Sequence, residues 1–112
     1  MTKKKKKQEA IQDGLMARML SDVPDGIWSG VCAIPKIGDI VNVDVNDIGP
    51  SEVLGYWLEA GYVGCVVRPS EPPEWYVRQN GSGAACVVFG IEIYASTEDY
   101  KKLIAKRKEF QA

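Results

Sequence analysis

Residues 51–61, Ser51-Glu52-Val53-Leu54-Gly55-Tyr56-Trp57-Leu58-Glu59-Ala60-Gly61 (SEVLGYWLEAG), fit two conformations, and the choice sets the fold class. Pro50 at a first turn, Leu54 spaced with Trp57 and Leu58, and Gly61 as a stop suit a helix over 51–60. Alternatively, Val53 to Glu59 pairs with Tyr62 to Val67 through a tight turn at Ala60-Gly61. Apolar runs this short do not separate the two by periodicity. We adopt the hairpin and keep the helix as the alternative. In the hairpin, Leu54, Tyr56 and Leu58 face inward and Trp57 faces out.

The neighbouring sequence is β-patterned from Ile27 to Tyr94. Asp39 to Val45 alternates strictly, placing Val41, Val43 and Val45 inward and Asn42 and Asp44 on a solvated face. Tyr62 to Val67 and Ala84 to Tyr94 read as further strands, the second entered through Asn80-Gly81-Ser82-Gly83. Gly90 inside that second strand predicts a bulge or bend. Residues 8–20 carry Ile11, Leu15, Met16, Met19 and Leu20 at helical spacing, and Val23-Pro24-Asp25-Gly26 ends the helix. Ser96 as a cap, acids after it and basic residues at the far end predict a second helix over 97–110. The expectation is a mainly β single domain over 8–112. It is a small barrel or strongly curved antiparallel sheet (27–94) with one helix on each side, preceded by a flexible basic tail at 1–7. The helical alternative at 51–60 would make it α+β.

The order of strands, glycine-rich hairpin and proline loop resembles a Src-homology-3-like small β-barrel. Gly38-Asp39-Ile40-Val41 and Gly61-Tyr62-Val63-Gly64 are the strand openings that carry this likeness. Residues 37–94 also resemble small uncharacterised proteins carried on integron gene cassettes, through IGDIVNVDVNDIG (37–49), PPEWYV (72–77) and VVFGIEI (87–93). That resemblance covers about half the chain. It implies a soluble bacterial accessory protein and carries over no catalytic residue.

The net charge of −1 conceals a segregation. Residues 1–7 hold five lysines and no acid, and residues 101–112 hold five basic side chains and one acid. Between them lie four basic and fourteen acidic residues. An acidic body repels phosphate, so nucleic acid could bind only at the basic ends. The candidates there are Lys3, Lys4, Lys5, Lys6, Lys7, Lys101, Lys102, Lys106, Arg107 and Lys108. No hydrophobic segment follows the lysine run and none is long enough to span a membrane. With three isolated cysteines among apolar neighbours, the expected setting is the cytoplasm.

The chain has no histidine, which removes the commonest general base and metal ligand. Cys32, Cys65 and Cys86 lack metal-site spacing and read as reduced core thiols. Asn42, Asp44, Asn46 and Asp47 fail the calcium-loop pattern at its glycine and at its bidentate glutamate. No metal or cofactor is expected, and no enzyme activity. Ser70 to Val77 (SEPPEWYV) is the stretch that suggests function. Pro72 and Pro73 stiffen an extended rim, and strand alternation then points one of Trp75 and Tyr76 outward. Trp57, Pro72, Pro73, Glu74, Trp75 and Tyr76 are therefore the candidate surface for a protein partner or for self-association, including a homodimer.

Overall fold

The computed structural model describes the backbone of residues 3–94 and the side chains of residues 10–93. The helix expected over 97–110, with its basic cluster, lies outside them. Five strands form one antiparallel sheet: β1 (Ile40–Val43), β2 (Gly49–Glu59), β3 (Tyr62–Pro69), β4 (Cys86–Phe89) and β5 (Ile93–Tyr94). Helices α1 (Lys3–Arg18) and α2 (Glu74–Asn80) complete the described fold.

The 51–61 stretch is a hairpin, as its Ala60-Gly61 dipeptide suggests. β2 and β3 pair from Ser51↔Pro69 to Glu59↔Tyr62. Ala60 (φ 49°) and Gly61 (φ 84°) both take left-handed angles, the requirement of the type I′ turn that matches strand twist. Alanine pays a steric penalty there, whereas asparagine tolerates it. Ala60→Asn should therefore raise stability by about 1 kcal/mol, seen as a higher thermal melting temperature.

A register shift between Val53 and Gly55 changes which side chains face in. Leu54 takes up the extra position, so Val53 and Tyr56 both enter the core although they are three residues apart. Gly55 faces the other way, where a Cβ would meet Met19 Sδ at 2.6 Å and the Leu20 carbonyl at 2.8 Å. Leu54, expected inward, is half-buried, and Leu58 is 42% exposed. Bulges of this kind bend a strand and increase its twist.

The sheet order β4-β3-β2-β1-β5 puts consecutive strands β4 and β5 on opposite edges. The single strand expected over 84–94 is broken by a 3₁₀ turn at Gly90–Glu92, a sharper change than the bend foreseen at Gly90. The sheet is curled so strongly that three residues carry the chain from one edge to the other. The result is a half-barrel of Src-homology-3-like form, open along the β4–β5 seam. Residues 28–32 line that seam: Ile91 N–H donates to Ser29 Oγ (3.2 Å), and Trp28 Nε1–H donates to the Cys32 carbonyl (2.7 Å).

Val41, Val43, Val53, Tyr56, Cys65, Val67, Tyr76, Val88 and Ile93 form the core. Five consecutive residues of β3, Val63 to Val67, are buried, so both faces of this strand are covered. α1 and the residue after it supply part of the second cover. Met19, just past α1, lies over Gly55, and the Gln12 side chain exchanges two hydrogen bonds with the Ala85 backbone (2.9 and 3.1 Å). Gln12 thus occupies the free edge just before β4, where unpaired backbone would otherwise invite another strand.

Three expectations need correcting. α1 begins at Lys3, inside the run read as a flexible tail, because lysine is a good helix former; it ends at Arg18 rather than residue 20. Leu20 instead bridges to Tyr56, and Ile11 of the apolar stripe stays 59% exposed. Asn42 is buried rather than solvated, so the face of β1 opposite Val41 and Val43 is covered as well. Its Nδ2 finds no acceptor among the described residues.

Candidate functional site

Ser70 to Val77 does not continue into a strand. Pro73 is the N-cap of α2 (φ −66°, ψ 157°), and Glu74 to Asn80 are helical. The extended geometry expected of Pro72-Pro73 is present, but it ends in a helix, for which proline at the entry is well suited. Glu74 sits exposed in the first turn, where its charge favours the helix dipole.

The helix changes how the two aromatics are disposed. Adjacent helical residues are about 100° apart rather than opposed. Tyr76 is the inward one, 3% exposed, and its hydroxyl donates to the Ala84 carbonyl at 2.8 Å. Burial raises the Tyr76 pKa well above its ordinary value, and the adjoining Cys86 side chain adds to the rise. Trp75 is half-buried at the rim, edge-on to Tyr76 with ring centroids 5.7 Å apart. Its Nε1–H donates to the Asn46 carbonyl at 3.1 Å.

That carbonyl belongs to the β1–β2 turn. Asn46 (φ 51°) and Asp47 (φ 63°) are both left-handed, and Ile48 N–H closes onto the Val45 carbonyl at 3.1 Å. This is again type I′ geometry, which asparagine and aspartate adopt more readily than other non-glycine residues. Asn46 and Asp47 thus make a tight turn against α2. Together Asn46, Asp47, Trp75 and Gln79 line a shallow, open hollow of about 450 Å³. Glu71 and Glu74 are exposed on the segment that leads into α2. Residues 10–93 hold eleven carboxylates and four basic side chains, so the setting is acidic.

The structure does not gather all the candidate residues. Trp57 lies on β2 near the Ala60-Gly61 turn, whereas Trp75 is bonded to the turn that precedes β2. The two indoles are therefore at opposite ends of an eleven-residue strand. Trp57 does face outward, but Arg18 already covers its ring at 4.7 Å and Glu59 accepts its Nε1–H. Pro72 and Pro73 are half-buried and shape the entry to α2, and Tyr76 is an internal anchor. What remains accessible is Trp75 with Glu74. Asn46, Asp47 and Gln79 were missed as members of the site. An Asn-Asp pair flanked by alternating valines was the signal for the turn, but its proximity to α2 is a tertiary fact.

The cysteines take no part in this site. Burial pushes the Cys65 thiol up to about 12, with Cys32 adding to the rise, and Cys86 is also raised by burial. In the unfolded chain a thiol ionises from its ordinary value of 9.0 upward, while folded Cys65 holds its proton until about 12. The folded form thus binds more protons over that window. Stability is complete below pH 9 and falls above it, by up to about 1.4 kcal/mol per pH unit from this group. Melting temperatures between pH 8 and 11 should show this decline, and Cys65→Ala should flatten it.

Among the described residues no helix is long and apolar enough to cross a membrane. Comparison with protein-family models, curated proteins and solved structures yields no significant match, so the fold and this hollow are what bear on function.

Proposed function

We propose that this protein is a non-enzymatic interaction module that holds a basic segment of a protein partner in the Trp75 hollow. The observation that carries this reading is the indole held at the rim by α2 and Asn46, beside the Asp47 carboxylate. An aromatic face with a neighbouring carboxylate attracts an ammonium or guanidinium group, and an acidic surround steers it there. The integron-cassette likeness of residues 37–94 agrees with an accessory role of this kind.

The test is a titration with a fluorescent lysine- and arginine-rich peptide at near-physiological salt, followed by anisotropy. Trp75→Ala should weaken binding by about tenfold, the scale of a cation–π contact. Asp47→Asn keeps a residue that tolerates the left-handed turn and should weaken binding by roughly threefold or more. Unchanged affinity in both variants, with the fold confirmed by circular dichroism, would defeat the proposal.

A second reading has one observation behind it: α1 starts at Lys3, so the five lysines belong to a helix rather than a loose tail. A polyanion such as nucleic acid would then bind along that turn, with steeply salt-dependent affinity. Anisotropy with labelled single- and double-stranded nucleic acids decides this. Binding that vanishes at physiological salt leaves the Trp75 hollow as the functional surface.

A further inference from the structure

The two oppositely charged features of this chain lie on different elements, and each lacks something that the other offers. α1 opens with five consecutive lysines and has no acid in its first turn. Lysines three and four apart on one helix repel, and the helix dipole at that end is also positive. An external acidic surface would stabilise that turn. α1 is anchored to the sheet at Gln12, through both hydrogen bonds to Ala85, and runs nine further residues to Lys3. That is about 13 Å of helix beyond the anchor.

The Trp75 hollow is the complementary surface. Trp57, the comparable half-buried indole, is already covered by Arg18, whereas no described cation covers Trp75. Asp47 lines the hollow, and Glu71 and Glu74 lie exposed on the chain leading into α2.

We propose that the occupant of the hollow is the Lys3–Lys7 segment of a second copy of this chain, which rests on the reading of the hollow given above. One lysine ammonium sits against the Trp75 face and Asp47, and its neighbours meet Glu71 and Glu74. Each copy carries one segment and one hollow, so reciprocal exchange closes a two-fold dimer, and neither hollow is complete without its partner.

Sedimentation velocity of the full chain at low and high salt tests this. At low salt the expected species has twice the chain mass, and its dissociation constant rises by at least about tenfold at high salt as the charges are screened. A full-length variant with Lys3, Lys4, Lys5, Lys6 and Lys7 all changed to glutamine should be monomeric. So should Trp75→Ala combined with Asp47→Asn. Mixed in equal amounts, the two variants should form a one-to-one complex, because one retains the hollow and the other the lysines.

A monomeric full chain at low salt would overturn the proposal. Undiminished self-association of the five-glutamine variant, or no complex on mixing, would do the same. A labelled pentalysine peptide added to the five-glutamine variant separates the two levels of inference. If it binds while the full chain is monomeric, self-association is wrong and the hollow stands; if it does not bind, the hollow reading itself falls.

Discussion

Replacing Gly90 with alanine is expected to cost about 3 kcal/mol or more, because the new methyl group collides with backbone rather than with a movable side chain. An added Cβ would overlap the Gly30 nitrogen and lie 2.8 Å from the Gly30 Cα. Gly30 cannot easily withdraw. A Cβ built on Gly30 itself would lie within 2.9 Å of three Trp28 ring atoms, so the indole rests directly on this backbone. Moving the 28–32 segment would also strain the Trp28–Cys32 and Ile91–Ser29 hydrogen bonds. These contacts pack residues 28–32 along the β4–β5 seam, and the half-barrel should loosen there first. At about 4 °C per kcal/mol for a domain of this size, the melting temperature should fall by about 12 °C. Gly14→Ala is the matched control. It lies in α1 with nothing within 4 Å, and should stabilise by about 0.5–1 kcal/mol through helix propensity. If the two substitutions shifted the melting temperature alike, the close approach at the seam would not be what Gly90 provides.

Tyr76→Ala is expected to destabilise by about 3–5 kcal/mol, in the range for truncating a large buried ring. The residue is 3% exposed, belongs to the core and bonds the Ala84 carbonyl, so its loss leaves both a cavity and an orphaned acceptor. α2 has only seven residues, too few to persist without tertiary packing. Tyr76→Phe separates the two contributions: it keeps the ring and should cost about 1–3 kcal/mol for the unsatisfied carbonyl. Basic-peptide binding should survive Tyr76→Phe, since the backbone that holds Trp75 is unchanged. Equilibrium denaturation gives the stabilities, and the anisotropy titration gives the binding. A Tyr76→Phe variant as stable as the parent would show that the hydroxyl has no net role in holding α2. Tyr76 is therefore the structural half of the aromatic pair and Trp75 the exposed half.

Much of this architecture is legible locally. The alternation at Val41 and Val43, the Ala60-Gly61 turn and the break at Gly90 all depend on residues close together in sequence, where steric preference acts directly. The charge segregation is a property of sequence alone. Other features were not legible. The bulge at Leu54 exchanges the faces of β2 because curling the sheet needs it, and curl is a property of all the strands together. Pro-Pro before Trp75-Tyr76 serves a strand or a helix equally well, and the burial of Tyr76 beside Ala84 decides for α2. Asn42 has the chemistry of a solvated face, yet both faces of β1 are covered there and it is buried.

The candidate site divides in the same way. Trp75 and Glu74 could be picked out because aromatics beside a rigid proline segment are conspicuous. Trp57 looked equivalent and is not, since Arg18 covers it at the far end of the same strand. Asp47 joins Trp75 only because α2 returns the chain to the β1–β2 turn, twenty-nine residues from Asn46 to Trp75. Sequence by itself determined a mainly β chain with an acidic body and basic ends, because periodicity and charge are local and additive. Which aromatic is free, and which carboxylate stands beside it, only the tertiary structure decided, because both depend on contacts between residues far apart in the chain.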